Sequence, residues 1–452
     1  MKNGIALLYS FQQRRNRFGK IFREQLEELQ RNRSLSFEER TRDQFQRLKA
    51  LLIYVRDNVP YYHDLFQSIG FSPESFQKFE DLRQIPLLDK ETVRTEKDRL
   101  ISKAKLGPII HTHTSGTTGK ALHLLLTREA SQRAYACVWF HYTWAGIQRG
   151  DRIATFAGHP VARPESLKPP FWIYDPLENE MFFSSYHITP ATLPFYVKAL
   201  AQFRPVLIRG YPSSIYLLAM YLLQTGRDDI RPKAVFTSSE TLFDFQRKAI
   251  EQAFGCKVYS YYGNTERVAH LLECQERNFH VITESCVIEI LRPDGSPASF
   301  GECGELVCTG LFDRAMPLIR YRVGDMGIFS PDRCPCGINT PILKTITGRV
   351  EDVVVTPDGR HVGRLDHAFK DTLTVKEAQI VQEKLDSILV NIVPREGFGP
   401  EDEKRILREL RLRLGEAIQI QIQKVERIPR TETGKFRFVI SKVPMELGSN
   451  KQ

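Results

Sequence analysis

No apolar run in this 452-residue chain approaches the roughly 18 residues that a membrane span needs; the longest, IYLLAMYLL at Ile215 to Leu223, is half that. The first residues also lack the basic, apolar and small-residue succession of an export signal, which predicts a soluble, cytoplasmic protein. Without such a signal, the eight cysteines predict reduced thiols or metal ligands, not a disulfide framework. No internal repeat or low-complexity tract is present. Acidic residues are the scarcer sign, 54 against 64 Lys and Arg, and the balance of +10 favours anionic partners such as nucleotides, anionic lipid or nucleic acid. That excess is uneven: residues 1–60 hold 13 basic and 7 acidic side chains, so 6 of the 10 surplus charges lie there. No aromatic-basic interleaving accompanies it, which argues against nucleic acid. What the chain does have is 42% hydrophobic and 26% charged residues, enough apolar surface for a substantial core, excluding disorder and fibre. Its length predicts two or three domains.

Residues 1–33 place Leu7, Phe11, Phe18, Phe22, Leu26 and Leu29 on one stripe, with Arg14, Arg15, Arg17, Lys20 and Arg23 between them. This is an amphipathic basic helix, either packed on its own domain or turned toward anionic lipid or a partner protein. A further helix is expected over Phe37 to Asp57, broken at Asn58-Val59-Pro60. From Ile109 the pattern reads strand, loop, strand (IIHT, TSGTTGK, ALHLLLT), then a helix capped by Thr127 and running through Trp144. DRIATFAG, RPVLIRG, KAVFTSS and GCKVYSYYG are short buried-strand runs separated by helical stretches, the pattern of an α/β domain with a largely parallel sheet. After Gly263 the texture turns β-rich, suggesting hairpins or a small barrel. From about Glu351 to Ser441 a small α+β unit is expected, with a helix at Asp402 to Leu414.

The loop Thr114, Ser115, Gly116, Thr117, Thr118, Gly119, Lys120 gathers hydroxyls, backbone N–H groups and one ammonium, a set suited to polyphosphate oxygens. It is no Walker loop, since only two residues separate Gly116 from Gly119 and a strand follows; taken alone it could be a polar hairpin loop. Four more motifs follow in order: YYGNTE at Tyr261 to Glu266, YRVGD at Tyr321 to Asp325, GRVED at Gly348 to Asp352, and PRTETGK at Pro429 to Lys435. Together the five resemble the adenylate-forming superfamily of acyl-CoA synthetases, adenylation domains and luciferases. NVPYYHDLF and IPLLDK are most similar to the phenylacetate-CoA ligase branch, and AMPLIRYRVGD with KEAQIVQ to its CapK-like subgroup, associated with polysaccharide and natural-product biosynthesis. The resemblance runs from about Phe37 to Ser441.

It implies an α/β adenylate-forming fold: a large N-terminal domain, 1–347, with parallel-rich sheets and a small barrel-like part; a hinge at 348–352; and a small mobile α+β domain, 353–452. Residues 1–36 are the basic helical extension. It also implies an ATP- and Mg2+-dependent ligase that joins a carboxylate to the α-phosphate, releases pyrophosphate and passes the acyl group to CoA, or to an amine or a sugar or carrier hydroxyl. A non-catalytic binding protein on the same fold is the alternative. Two unit charges 4 Å apart repel by about 4 kcal/mol at an effective dielectric of 20, so a carboxylate approaching a phosphate needs cations. By resemblance Lys435 is that mobile cation, Glu266 holds Mg2+, and Thr265 joins the 114–120 loop on phosphate oxygens. Tyr262 and Gly263 lie along the adenine with Ser239 and Glu240; Asp325 accepts from the ribose hydroxyls, with Arg349 beside it. Glu351 and Asp352 form the hinge, where the family more often has a single Asp. The chain departs also at Ala121, where the family has Pro, at Ser238-Ser239-Glu240 for Gly-Ala-Glu, and at PDGRHVGR (Pro357 to Arg364) for an Arg-Gly loop, so adenylation is implied more directly than the CoA step.

Cys274, His280, Cys334 and Cys336 offer three thiols and an imidazole, a set that satisfies tetrahedral Zn2+. Relatives in the phenylacetate-ligase branch carry the same pattern as a structural site; unrelated reduced side chains are the alternative. His141, His159, Tyr211 and Ser213 fall where relatives bind the acyl group, or are ordinary core.

Overall fold

The computed structural model describes residues 11–113, 122–158, 161, 168–189, 191–349, 354–357, 361–362, 365–369, 372, 374–430 and 436–443. Helix Phe37–Asn58 begins where expected because Ser36 Oγ accepts from Glu39 N while Glu39 reaches back to Ser36 N, a reciprocal cap satisfying two orphan donors. It ends at Val59, and Pro60 opens the next helix, Pro60–Ile69. These helices bury Leu48, Leu51, Leu52, Val55, Tyr62 and Phe66 against the later β-strands, so the first hundred residues fold onto the middle of the chain.

Two strands, β1 (Ile109–His113) and β2 (His123–Thr127), pair antiparallel and flank the candidate phosphate loop, which lies outside the described residues. Thr127 Oγ1 accepts from Ala130 N at 3.0 Å and caps helix Arg128–Thr143. The next strands are β3 (Ile153–Ala157), β4 (Trp172–Asp175), β5 (Glu180–Ser184), β6 (Leu207–Gly210), β7 (Ala234–Ser238) and β8 (Lys257–Gly263). In space β5, β3, β6, β7 and β8 run parallel side by side, and β4 pairs antiparallel with β5 at the edge. Helices Leu193–Phe203, Pro212–Thr225 and Asp244–Phe254 cover one face and helix Arg128–Thr143 the other, which is why these strands are continuously apolar.

The β-rich segment comprises β9 (His270–Glu273), β10 (Phe279–Val281), β11 (Cys286–Leu291), β12 (Cys303–Gly310), β13 (Tyr321–Phe329) and β14 (Ile342–Arg349). It is continuous with the parallel section: β9 pairs with β8, β10 with β9 and β14, giving one twelve-stranded sheet in the order β11-β12-β13-β14-β10-β9-β8-β7-β6-β3-β5-β4. The last segment adds a two-stranded ribbon, β15 (Val354–Val355) with β16 (His361–Val362). It also forms a separate sheet from β17 (Val375–Lys384), β18 (Ser387–Pro394), β19 (Gln419–Lys424) and β20 (Val439–Ser441), with its own core under helix Pro400–Leu414.

The basic N-terminal segment packs on its own chain. Helix Lys20–Asn32 buries Phe22, Gln25 and Leu29 against helix Arg128–Thr143, and Phe18 sets its ring edge-on to Tyr135 at 5.1 Å. Gln132 secures the joint, accepting from Phe22 N and donating to the carbonyls of Arg15 and Phe18. Among the described residues no helix is long and apolar enough to cross a membrane.

Candidate active site

In open α/β sheets ligands collect beyond the carboxyl ends of the parallel strands. Here β6 ends at Gly210, β7 at Ser238 and β8 at Gly263. Gly210 has φ 146°, and a Cβ there would lie 1.9 Å from the Phe156 carbonyl oxygen, so only glycine lets β6 turn this close to β3. Tyr211 and Ser213 follow at the start of helix Pro212–Thr225, both buried. After β7, Ser239 sits in the left-handed region at φ 70° and aims Glu240 toward Ser213. A Cβ on Gly263 would approach the Tyr261 hydroxyl to 2.7 Å, so a side chain there would have to displace the Tyr261 ring.

Two tyrosine–carboxylate pairs weld the second and third motifs together. Tyr262 Oη donates to Asp325 Oδ2 at 2.5 Å, and Tyr321 Oη donates to Glu266 Oε1 at 3.0 Å. Burial, then the facing carboxylate, raises both phenols well above their ordinary pKa and keeps them protonated donors. Asp325 is the register partner of Arg349 across β13 and β14, which puts the two ribose candidates opposite one another in the backbone. Thr265 is exposed in the loop after β8, beside half-buried Glu266. Glu266, with Thr265, offers the oxygen donors that a hard cation such as Mg2+ takes. Sequence reasoning assigned no role to Tyr321, although its place at the head of YRVGD was a signal.

Glu240 is occupied by protein donors. Oε2 accepts from Ser213 N at 3.1 Å, and Oε1 from Ser213 Oγ at 3.1 Å and from Phe436 N at 2.7 Å. Burial raises its pKa, and the Phe436 and Ser213 donors with the Arg430 charge oppose that shift. His141 does not open onto a cleft: it is fully buried, its Nε2 is 2.8 Å from the Glu273 carbonyl oxygen, and its ring packs against Phe236 and Trp144. Helix Arg128–Thr143 lies flat on the sheet, so that side chain points into the core. Residues 114–120, His159, Glu351, Asp352 and Lys435 lie outside the described residues, as does the side chain of Arg349.

Cys274 follows β9, His280 lies on β10, and Cys334 and Cys336 occupy the loop between β13 and β14; their ligand atoms all fall within 4.8 Å of one another. Cys274 Sγ is 3.5 Å from Cys334 Sγ, and Cys336 Sγ is 3.2 Å from His280 Nε2. A tetrahedral zinc with bonds of about 2.3 Å separates its sulfurs by roughly 3.8 Å, so four donors at these spacings fit that ion. His280 Nδ1 lies 2.9 Å from Thr340 Oγ1, which orients Nε2 inward, and Asn278 Nδ2 donates to Cys334 Sγ at 3.2 Å. Cys274, His280 and Cys334 are buried, Cys336 partly so, and among the described residues no fifth His, Cys, Asp or Glu joins the group.

This fold is that of the adenylate-forming ligases, and the chain is an enzyme of the AMP-forming ligase class. Its homologues are CapK and the phenylacetate-coenzyme A ligases, and residues 354–442 match the family described as the CapK C-terminal domain. It is 27% identical to protein CapK of Staphylococcus aureus over 88% of this chain and 89% of that one. Against phenylacetate-coenzyme A ligase of Thermus thermophilus the identity is 25%, covering 93% and 99%. The structure of 2-hydroxyisobutyryl-CoA ligase in its postadenylation state superposes with a TM-score of 0.72 at 20% identity, over 91% of each chain.

Proposed function

We propose that this enzyme activates a small carboxylic acid with ATP, forming an acyl or aryl adenylate and pyrophosphate, and transfers the acyl group to an acceptor thiol, CoA. The observation that carries the reading is the pair of bridges, Tyr262–Asp325 and Tyr321–Glu266, which draw two motifs 55 to 63 residues apart into one cluster beyond the parallel strands. Asp325, freed from Tyr262, would accept from both ribose hydroxyls, a role an ionised carboxylate can fill. Glu266 would hold Mg2+, which when bound neutralises phosphate charge. Lys435 would bring the cation that offsets repulsion between the incoming carboxylate and the α-phosphate. The 114–120 loop, carried between β1 and β2, would grip the outer phosphates.

One observation favours a second acceptor class. The C-terminal segment matches CapK, and PDGRHVGR at 357–364 stands where the resemblance places an Arg-Gly loop. An amine or a sugar or carrier hydroxyl is therefore the alternative to CoA. We place the enzyme in the cytoplasm, in keeping with eight cysteines outside any disulfide, and read the Cys274, His280, Cys334 and Cys336 cluster as a structural Zn2+ site. The test is carboxylate-dependent ATP–pyrophosphate exchange across a panel of acids, followed by product mass with CoA, amines and sugars in turn. Exchange with at least one acid is expected. Its absence for every acid, in a folded protein that binds ATP, would favour a binding protein on this fold.

A further inference from the structure

We propose that Glu240 is a latch that docks the small domain, through the main chain of Phe436, on the parallel-sheet body. The proposal rests on reading Lys435 as the adenylation cation, but the contact behind it does not. One Glu240 oxygen accepts from the backbone N–H of Phe436, the residue after Lys435, at 2.7 Å. The same carboxylate grips the start of helix Pro212–Thr225 through Ser213 N and Oγ, both at 3.1 Å. Three donors on one half-buried carboxylate make a charge-assisted joint between the parallel-sheet body and the C-terminal segment. A nucleotide contact would need the same oxygens, so in this arrangement Glu240 is a positioning residue.

The surroundings support a reversible joint. Phe438 packs its ring 5.1 Å from Phe243, and Arg395 Nη2 donates to Tyr216 Oη at 2.9 Å, two further ties across the same seam among the described residues. Between them a cleft of about 360 Å³ stays open, lined by Tyr216, Phe245, Arg395, Arg430 and Phe438. A permanent domain interface would be closed and apolar; here a few polar ties hold a partly open seam, so losing one matters. Arg430, paired with Glu377 at 2.8 Å, lies 4.7 Å from the Phe436 ring and steadies the segment whose N–H enters the latch.

Hydrogen–deuterium exchange of the Phe436 amide in the nucleotide-free full chain reads the latch itself. The wild-type amide should be protected, Glu240→Ala should lose that protection, and Lys435→Ala should keep it. In pyrophosphate exchange, Glu240→Ala should lower the rate at saturating ATP by about 10- to 100-fold, the factor a charge-assisted hydrogen bond carries, with the KM for ATP little changed. Glu240→Gln, whose carbonyl still accepts from Phe436, should recover part of both readouts. If Glu240→Ala does not fold, Phe436→Pro removes the donor from the other side and should show the same fall in rate. Equal Phe436 exchange in wild type and Glu240→Ala overturns the latch, and so does a raised ATP KM with an intact saturated rate, which would mark a nucleotide contact. If the wild-type enzyme exchanges pyrophosphate with no acid, the adenylation reading falls while the amide measurement still decides the docking.

Discussion

His141 and His270 are buried among aromatic rings, and desolvation pushes both imidazoles down to about 3. The folded-state value lies below the unfolded one of about 6.5, so the unfolded chain takes up protons first as the medium is acidified. Their contribution to stability is therefore complete above pH 6.5 and is lost as pH falls toward 3, by up to about 1.4 kcal/mol per histidine per pH unit. Melting temperature should drop steeply between pH 6.5 and 4, and His270→Phe should flatten that slope. Tyr262 and Asp325 allow a sharper test at the proposed nucleotide site. Ribose contacts are made in ground and transition states alike, so Asp325→Ala should raise the KM for ATP more than it lowers the saturated rate. Steady-state kinetics in ATP checks this, and an unchanged ATP requirement counts against the assignment. The residue types at these positions were legible in the motifs. Their partners were not: Tyr262 meets Asp325 63 residues away, and no local pattern encodes that hydrogen bond.

Among the elements, the basic N-terminal helix shows how a local pattern leaves its partner open. The apolar stripe was plain in sequence, and either a lipid surface or the protein's own core could have covered it. In the structure the Phe22 and Leu29 side chains are buried against helix Arg128–Thr143. Phe22→Ala should cost about 3 kcal/mol in denaturant unfolding, and deletion of residues 1–33 should lower the melting point and promote aggregation. A truncated chain that stays stable but no longer binds anionic vesicles at low salt would give the helix a surface role instead. The cysteine cluster makes a different kind of joint, tying β9, β10 and the β13–β14 loop where the parallel and antiparallel parts of the sheet meet. Purified protein should carry about one zinc per chain. Removing it with a chelator, or replacing Cys334 and Cys336 by serine, should lower the melting temperature more than turnover at low temperature, because a four-ligand site leaves no position for substrate.

Across the whole molecule, one twelve-stranded sheet carries nucleotide-site candidates such as Tyr262 and Asp325, while the C-terminal segment, to which Lys435 belongs in sequence, has a core of its own. Lys435→Ala should therefore keep both cores and the melting profile yet lose adenylation by about 100- to 1,000-fold, the usual effect of removing a preorganised group that stabilises developing charge. Pyrophosphate exchange at the wild-type rate would sink the assignment. The sequence by itself determined the helix caps, the alternation of strand and helix and the five motifs, because each depends on residues a few positions apart. Tertiary structure alone decided that the β-rich segment extends the parallel sheet and that Glu240 reaches the neighbour of Lys435 across 196 residues; it also brings together, from three elements, the four candidate metal ligands that the sequence had already grouped. Such pairings form where buried donors must find acceptors after the chain has collapsed, and the choice of acceptor belongs to the packed molecule.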